Sequence, residues 1–123
     1  MLADMNIEDE GCPIVANFLS EHPHFTSIDL KSNKITSSGL NKLCGSFRHM
    51  ENLEILSLNS NYLGQDPFGL EGLYTLFQGK CSIQQVNLRN NGLMDDSCKT
   101  LAAIINTGGN LRRLDLRWNK IDD

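Results

Sequence analysis

Several features that would assign a function at once are missing from this chain of 123 residues. No apolar run approaches the roughly 20 residues that span a bilayer, and no basic segment followed by an apolar one opens the sequence. We therefore expect neither a membrane span nor a signal peptide. The net charge is −4, from 11 basic and 15 acidic residues. This value argues against a generally cationic protein that binds nucleic acid or membrane surfaces.

Motifs for disulfides, metals and catalysis are also missing. The four cysteines show neither a CxxC motif nor a paired spacing: Cys12, Cys44, Cys81 and Cys98. We expect reduced thiols and a cytoplasmic protein, with the nucleus as the other compartment. His22 and His24 have no nearby cysteine or carboxylate cluster to complete a metal site. We recognise no Gly-rich phosphate loop and no nucleophile with a positioned base, so the sequence predicts no cofactor, no metal and no enzyme.

What the chain does contain is a repeated unit. The segment Leu53–Leu63 reads LxxLxLxxNxL, and the same apolar columns recur in Phe25–Ile35, Ile83–Leu93 and Leu111–Ile121. Each copy carries one asparagine at the same place, and the four are Asn33, Asn61, Asn91 and Asn119, spaced by 28, 30 and 28 residues. Self-similarity at a period of this length predicts a solenoid.

At these residues the chain resembles a leucine-rich repeat protein. Its long period is similar to that of the ribonuclease-inhibitor-like class, in which each strand is followed by a full helix. The resemblance implies an α/β fold: a right-handed solenoid, part of a horseshoe, with a parallel sheet on the concave face and helices on the convex face.

We expect one domain built from successive repeats. Complete repeats are predicted at residues 25–52, 53–82 and 83–110, and partial repeats at residues 1–24 and 111–123. Each repeat of a solenoid buries its faces against its neighbours, and neither predicted partial repeat has a polar cap. We therefore expect further repeats or a capping partner at both ends.

Each repeat should supply one helix with an apolar stripe that faces the interior. The predicted stripes are Ile7, Ile14, Val15, Phe18 and Leu19, then Leu40, Leu43 and Phe47, then Leu70, Leu73 and Phe77, and finally Cys98, Leu101 and Ile105. The predicted N-terminal caps are Thr36-Ser37-Ser38 for a helix of about Ser37–Phe47, Asp66 with Pro67 as the first helical residue, and Asp95-Asp96-Ser97. The predicted helix ends are near Pro23, at Gly79 and at Gly108-Gly109.

The repeated asparagine is interpreted as structural. It follows the strand, where the turn leaves backbone groups that neither strand nor helix satisfies, and its amide can both donate to them and accept from them. Asn33, Asn61, Asn91 and Asn119 should then stack in a ladder and not form a polar binding track.

The outward strand residues are the positions that carry information about binding, because they line the concave sheet. The residues predicted to contact a partner are Asp29, Lys31, Ile55, Ser57, Asn59, Gln85, Asn87, Arg89, Arg113, Asp115, Arg117 and Trp118. The best candidates are Arg113, Arg117 and Trp118, since Trp and Arg are enriched among residues that dominate interface energy. In the competing interpretation, Trp118 covers the exposed edge of its repeat and Arg117 pairs with Asp115.

Two functions are compatible with this platform. The first is a non-enzymatic protein-interaction module or scaffold that binds a protein partner through the concave face. The second is a regulator of a small GTPase, because the chain is similar in repeat length to the Ran GTPase-activating proteins, and Arg89-Asn90-Asn91 and Arg117-Trp118-Asn119 fall near the rim. The predicted partner is a protein and neither nucleic acid nor a membrane.

Overall fold

Four short strands form one parallel sheet in the order of the sequence. The structure, a computed structural model, describes residues 2–107 and 109–121. The strands are β1 (Ser27–Asp29), β2 (Ile55–Ser57), β3 (Gln85–Asn87) and β4 (Arg113–Asp115). Equivalent residues of successive repeats are paired, so that Ile28, Leu56, Val86 and Leu114 form one inward row. The apolar columns of the repeated unit are therefore aligned across the sheet.

One helix follows or precedes each strand on the other side of the core. The helices are α1 (Glu8–Glu21), α2 (Ser37–Phe47), α3 (Glu71–Gln78) and α4 (Cys98–Thr107), with short 3₁₀ turns at Leu63–Gln65 and Asp95–Ser97. Each helix packs on the next helix in the chain. This arrangement is the predicted α/β solenoid. Within the part of the chain described here, we find no helix with the length and hydropathy of a membrane span.

The core lies between the sheet and the helices. The strand leucines and most predicted stripe residues are buried, and the buried stripe residues are Leu19, Leu40, Leu43, Phe47, Leu70, Leu73, Phe77 and Leu101. A fully buried side chain of this kind stabilises the fold by about 1.5–3 kcal/mol. Continuous apolar columns along the array therefore hold the sheet in place.

Three other stripe assignments are wrong because the array supplies no neighbour at those positions. Phe18 is 43% exposed, although the equivalent Leu76 and Ile104 are buried, and Ile105 is 59% exposed, although the equivalent Phe77 is buried. Cys98 is likewise exposed. The helix position of Phe18 faces the preceding repeat, and the helix position of Ile105 faces the following one. The periodic pattern therefore predicts burial at these positions only where that neighbouring repeat is present.

The assignment of Ile14 to the buried stripe is also wrong, for a different reason. It is 74% exposed because its position in the repeat, shared with Lys42, lies on the outer side of the helix. The interior position of α1 is taken by Cys12, which is fully buried at the place held by Leu40 in the next repeat.

The repeat at residues 53–82 is two residues longer than the complete repeats on either side, and the extra residues change how its helix begins. α3 starts at Glu71 and not at Pro67, since a 3₁₀ turn and an irregular turn occupy residues 63–70. The Asp66 carboxylate accepts hydrogen bonds from the Phe68 N–H (2.8 Å) and from the Ser37 hydroxyl of the neighbouring repeat (2.7 Å). The predicted end at Gly79 is confirmed. Gly108 lies outside the described residues, and α4 ends at Thr107.

The cap of α2 comes from the preceding repeat and not from its own hydroxyls. Thr36 makes no side-chain hydrogen bond to its own helix. Instead the Asp9 carboxylate accepts hydrogen bonds from the N–H groups of Thr36 (2.8 Å) and Gly39 (3.2 Å), and also from the Thr36 hydroxyl. A carboxylate satisfies the free N–H groups of a helix start and interacts favourably with its dipole. Capping therefore couples neighbouring repeats.

We expect Asp9→Ala to lower the free energy of unfolding by about 1–2 kcal/mol, the usual contribution of a capping side chain. Glu10→Ala is the matched control, because Glu10 is an exposed acid in the same first turn of α1. Urea unfolding followed by circular dichroism measures both. Equal stability of the two variants would contradict the cross-repeat cap.

Candidate protein-binding face

The outward strand side chains lie in rows across the sheet. Strand pairing aligns Ser27, Ile55, Gln85 and Arg113 in one row, and Asp29, Ser57, Asn87 and Asp115 in the next. Backbone hydrogen bonds continue past the strands in the same register, for example from the Ser32 N–H to Asn59 O (3.1 Å). They align a third row of Lys31, Asn59, Arg89 and Arg117. The structure thus brings every predicted strand contact residue onto one face.

An open hollow of about 270 Å³ lies on this face between β2, β3 and β4. Its outward lining includes Ile55, Gln85, Asn87 and Arg113. Ile55 is 37% exposed, which places an apolar surface among polar neighbours. The arginines stand at the β4 side of the hollow, so the site is basic at the C-terminal end of the array.

Asp115 and Arg117 form a two-pronged ion pair at this end. The Arg117 Nε and Nη2 atoms lie 3.1 and 2.8 Å from Asp115 Oδ1 and Oδ2. This hydrogen bonding from Arg117 holds the pKa of Asp115 at about 2, below its ordinary value. Because that pKa is lowered, the pair favours the folded state above the ordinary Asp pKa, and its contribution is lost as the pH falls through about 2. The pair is therefore intact near neutral pH.

Trp118 lies in the turn after β4 and contacts an arginine of the preceding repeat. The Arg89 guanidinium carbon is 4.4 Å from the centroid of the Trp118 ring. The indole is 73% exposed, so it does not bury itself against the edge of its repeat. Its backbone φ of +62° is shared by the equivalent Ser32, Ser60 and Asn90, at +57°, +58° and +53°. The repeated turn therefore exposes the indole to solvent. A cation–π contact, which contributes ~0.5–1 kcal/mol, holds the indole near Arg89.

Arg89 links the two features, because its Nε also lies 3.9 Å from Asp115 Oδ2. Sequence reasoning did not predict its contact with Trp118. The two residues are one repeat plus one position apart, and only the stacking of adjacent turns makes them neighbours. Arg113 is exposed and has no ion-pair partner among residues 2–107 and 109–121.

The repeated asparagines use their amides within the backbone. Asn61 is 2% exposed, and its Oδ1 accepts hydrogen bonds from the N–H groups of Asn33 (2.9 Å) and Ile35 (3.0 Å). Its Nδ2 donates to the carbonyl oxygens of Leu30 (3.0 Å) and Leu58 (2.9 Å). Asn33, Asn91 and Asn119 make equivalent bonds. These side chains link adjacent turns by hydrogen bonds. Their amide groups are therefore used within the fold and are not available to a ligand.

The cysteines and histidines do not contribute a reactive centre to the face. Burial raises the pKa of the Cys12 thiol to about 11 and that of the Cys44 thiol to about 12, so both stay protonated near neutral pH. His22 sits at the end of α1, with Nδ1 2.9 Å from Phe18 O. Across the described ranges, no group of three or more metal-ligating side chains comes together.

Comparisons with known proteins agree with this architecture. Two Leucine Rich Repeat family models match, one at residues 21–44 and 110–123 and the other at residues 52–73. Mus musculus NACHT, LRR and PYD domains-containing protein 14 is 33% identical over 124 residues, covering 99% of this chain and 12% of that protein. The Homo sapiens NACHT, LRR and PYD domains-containing protein 3 is 25% identical over 150 residues, covering 99% and 14%.

The Sus scrofa ribonuclease inhibitor is 27% identical over 123 residues, covering 99% of this chain and 27% of the inhibitor. The chain thus spans about an eighth of the length of the first of these relatives and about a quarter of the inhibitor. The matched residues include three of the four repeated units, with their apolar columns and with Asn33, Asn61 and Asn119. The chain carries leucine-rich repeats of the ribonuclease-inhibitor-like, 28-residue class.

Proposed function

We propose that this chain is a non-enzymatic protein-binding module that engages its partner through the concave sheet. The observation that carries the proposal is the set of three in-register rows of outward side chains, which end at Arg113, Asp115 and Arg117, close to Arg89 and the exposed Trp118. A rigid sheet with exposed and varied side chains binds a protein surface without any chemistry of its own. The ribonuclease inhibitor is by its name a protein that acts on another protein.

The C-terminal end of the face has the composition expected of an interface centre. Truncation of a Trp or Arg hot spot costs about 2 kcal/mol or more. The contact between Arg89 and Trp118 holds both side chains in place before binding, which reduces the entropy lost when a partner docks. Ile55 adds an apolar contact near the middle of the same surface.

The test uses purified chain as bait in native lysate, followed by calorimetry with the recovered partner. The concave variant carries Arg113→Ala, Arg117→Ala and Trp118→Ala. The matched convex variant carries Lys42→Ala, Arg48→Ala and Tyr74→Ala, three exposed residues on or next to the helices. Both must first show unchanged circular dichroism. We expect the concave variant to lose about 700-fold or more in affinity, since two hot spots of about 2 kcal/mol together give about 4 kcal/mol and each ~1.4 kcal/mol is a factor of ten.

Loss of binding in the convex variant alone would overturn the proposal. So would stimulation of GTP hydrolysis by the chain on a panel of small GTPases, abolished by Arg89→Ala, because the GTPase-regulator hypothesis would then replace it. That hypothesis stays a prediction.

The proposal extends to the ends of the array and to the compartment. Phe18 and Ile105 expose positions that neighbouring repeats cover elsewhere, which supports further repeats or a capping partner there. Four free cysteines support a reducing compartment, the cytoplasm or the nucleus. We propose a protein partner and no direct role for nucleic acid or membrane.

A further inference from the structure

We infer that the C-terminal end of the concave face binds an acidic segment of the partner, whose carboxylates compete with Asp115 for the surrounding arginines. This inference rests on the proposed function and specifies the chemistry of the partner. The site consists of Arg89, Arg113 and Arg117 around the single acid Asp115, and we call it the arginine end. Its formal charge is +2, from three cations and one anion, on a chain whose net charge is −4.

The arginine end already contains a bound carboxylate. Asp115 engages the Arg117 guanidinium through two hydrogen bonds of 3.1 and 2.8 Å, the geometry in which Arg recognises carboxylates in general. A partner carboxylate placed over the hollow meets Arg113, which has no ion-pair partner within the described ranges. It also meets the side of Arg117 away from Asp115. The internal pair thus shows the mode of recognition and limits its strength.

The lining of the hollow suits the side chains of a protein segment. The hollow is open, measures about 270 Å³ and joins charged and apolar side chains. Ile55 and Arg89 line the hollow, and the exposed Trp118 ring contacts the Arg89 guanidinium. Acidic side chains interleaved with aromatic or aliphatic ones would satisfy both the arginines and these apolar surfaces.

The distribution of charge across the face places an acidic segment at the arginine end. The outward side chains of the first strand and its turn include one acid, Asp29, and one base, Lys31, so that part of the face has no net charge. An acidic segment is therefore attracted most strongly at the arginine end, whose formal charge is +2. A nucleic acid backbone would carry its negative charge along the whole face and gain little attraction beyond the arginine end, and it is therefore disfavoured.

Fluorescence anisotropy with defined probes tests the inference. The probe is a fluorescein-labelled peptide of alternating glutamate and tyrosine, and the comparison probes replace every glutamate by glutamine or by lysine. A labelled single-stranded oligo-dT of the same length is the nucleic-acid arm. We expect the glutamate peptide to bind most tightly, and its affinity to fall as salt screens the exposed charges.

Two substitutions at the site should act in opposite directions. Arg113→Ala should weaken binding of the glutamate peptide about tenfold, the usual loss for a charge-assisted hydrogen bond. Asp115→Asn should strengthen it at least about threefold, because it removes the competing charge. Asn at this position keeps the turn, since the equivalent Asn87 accepts the same hydrogen bond, from the Arg89 N–H at 3.0 Å. Arg48→Ala, an exposed arginine beyond the end of α2, should leave affinity unchanged.

Glutamate and glutamine peptides of equal affinity would overturn the inference, and so would weaker binding by Asp115→Asn. Tighter binding of oligo-dT with the same dependence on Arg113 would replace it by a nucleic-acid site. If a recovered protein partner depends on the concave triple variant but is not strengthened by Asp115→Asn, this inference fails and the proposed function stands. If no recovered partner depends on the concave face, the proposed function fails.

Discussion

Replacing Asn61 by alanine should lower the free energy of unfolding by about 3–5 kcal/mol. The Asn61 side chain is buried and joins two successive turns of the array through the bonds of its Oδ1 and Nδ2 atoms. Alanine leaves the N–H groups of Asn33 and Ile35 without their acceptor in the interior. Each orphaned buried group costs about 1–3 kcal/mol, and the loss is a large part of a typical domain stability of 5–15 kcal/mol.

Asn17→Ala is the matched control, because Asn17 is exposed on α1 and alanine has the higher helix propensity. We expect that variant to be as stable as the wild type or slightly more stable. Urea unfolding followed by circular dichroism measures both proteins. A loss below about 1 kcal/mol for Asn61→Ala, the net value of a single hydrogen bond, would show that the ladder is not a main source of stability.

Leu56→Ala should lower the free energy of unfolding by about 2–5 kcal/mol. Leu56 is fully buried in the middle of the inward row, with Ile28 on one side and Val86 on the other. Its truncation removes apolar contacts and leaves a cavity that its neighbours on both strands cannot fill without moving the sheet. Leu114→Ala makes the same change in the same row, but Leu114 is half-buried at the end of the array.

We expect Leu114→Ala to lower the free energy of unfolding by about 1 kcal/mol, because the half-buried Leu114 side chain buries less apolar area than Leu56 in the wild type. The comparison separates position in the array from side-chain chemistry, and the same unfolding experiment measures it. Equal losses would mean that the ends of the array are as well packed as its middle. That result would contradict the exposure of Phe18 and Ile105.

These interior contacts also determine the binding face. The outward rows are rigid only because the leucine columns and the asparagine ladder hold each strand at a constant register. Variants of Asn61 or Leu56 would therefore weaken partner binding by disturbing the rows, without removing any contact residue. For this reason the concave variants need the folding check, and Asp115→Asn, which retains the local turn, is the sharper probe.

Much of the architecture was predictable because the repeat pattern is local and periodic. The boundaries of α2 agree with the sequence prediction, and Ile28 and Leu56, which belong to the apolar columns of the repeated unit, are buried. The outward residues were assigned to one face by the alternation of the strand alone. The exposure of Ile105 was not predictable from the same period, because the burial of this side chain depends on a neighbour beyond α4.

The sequence alone determined the solenoid, the turn of each repeat and the face that each strand residue occupies, because all three follow from backbone periodicity repeated along the chain. Only the tertiary structure decided which side chains meet across repeats. Asp9 caps α2, Arg89 contacts the Trp118 ring, and Asp115 pairs with Arg117. Among residues 2–107 and 109–121, Arg113 is therefore the arginine of the arginine end that has no ion-pair partner. Those contacts depend on the lateral stacking of adjacent turns and on side-chain reach, and no one-dimensional period encodes them.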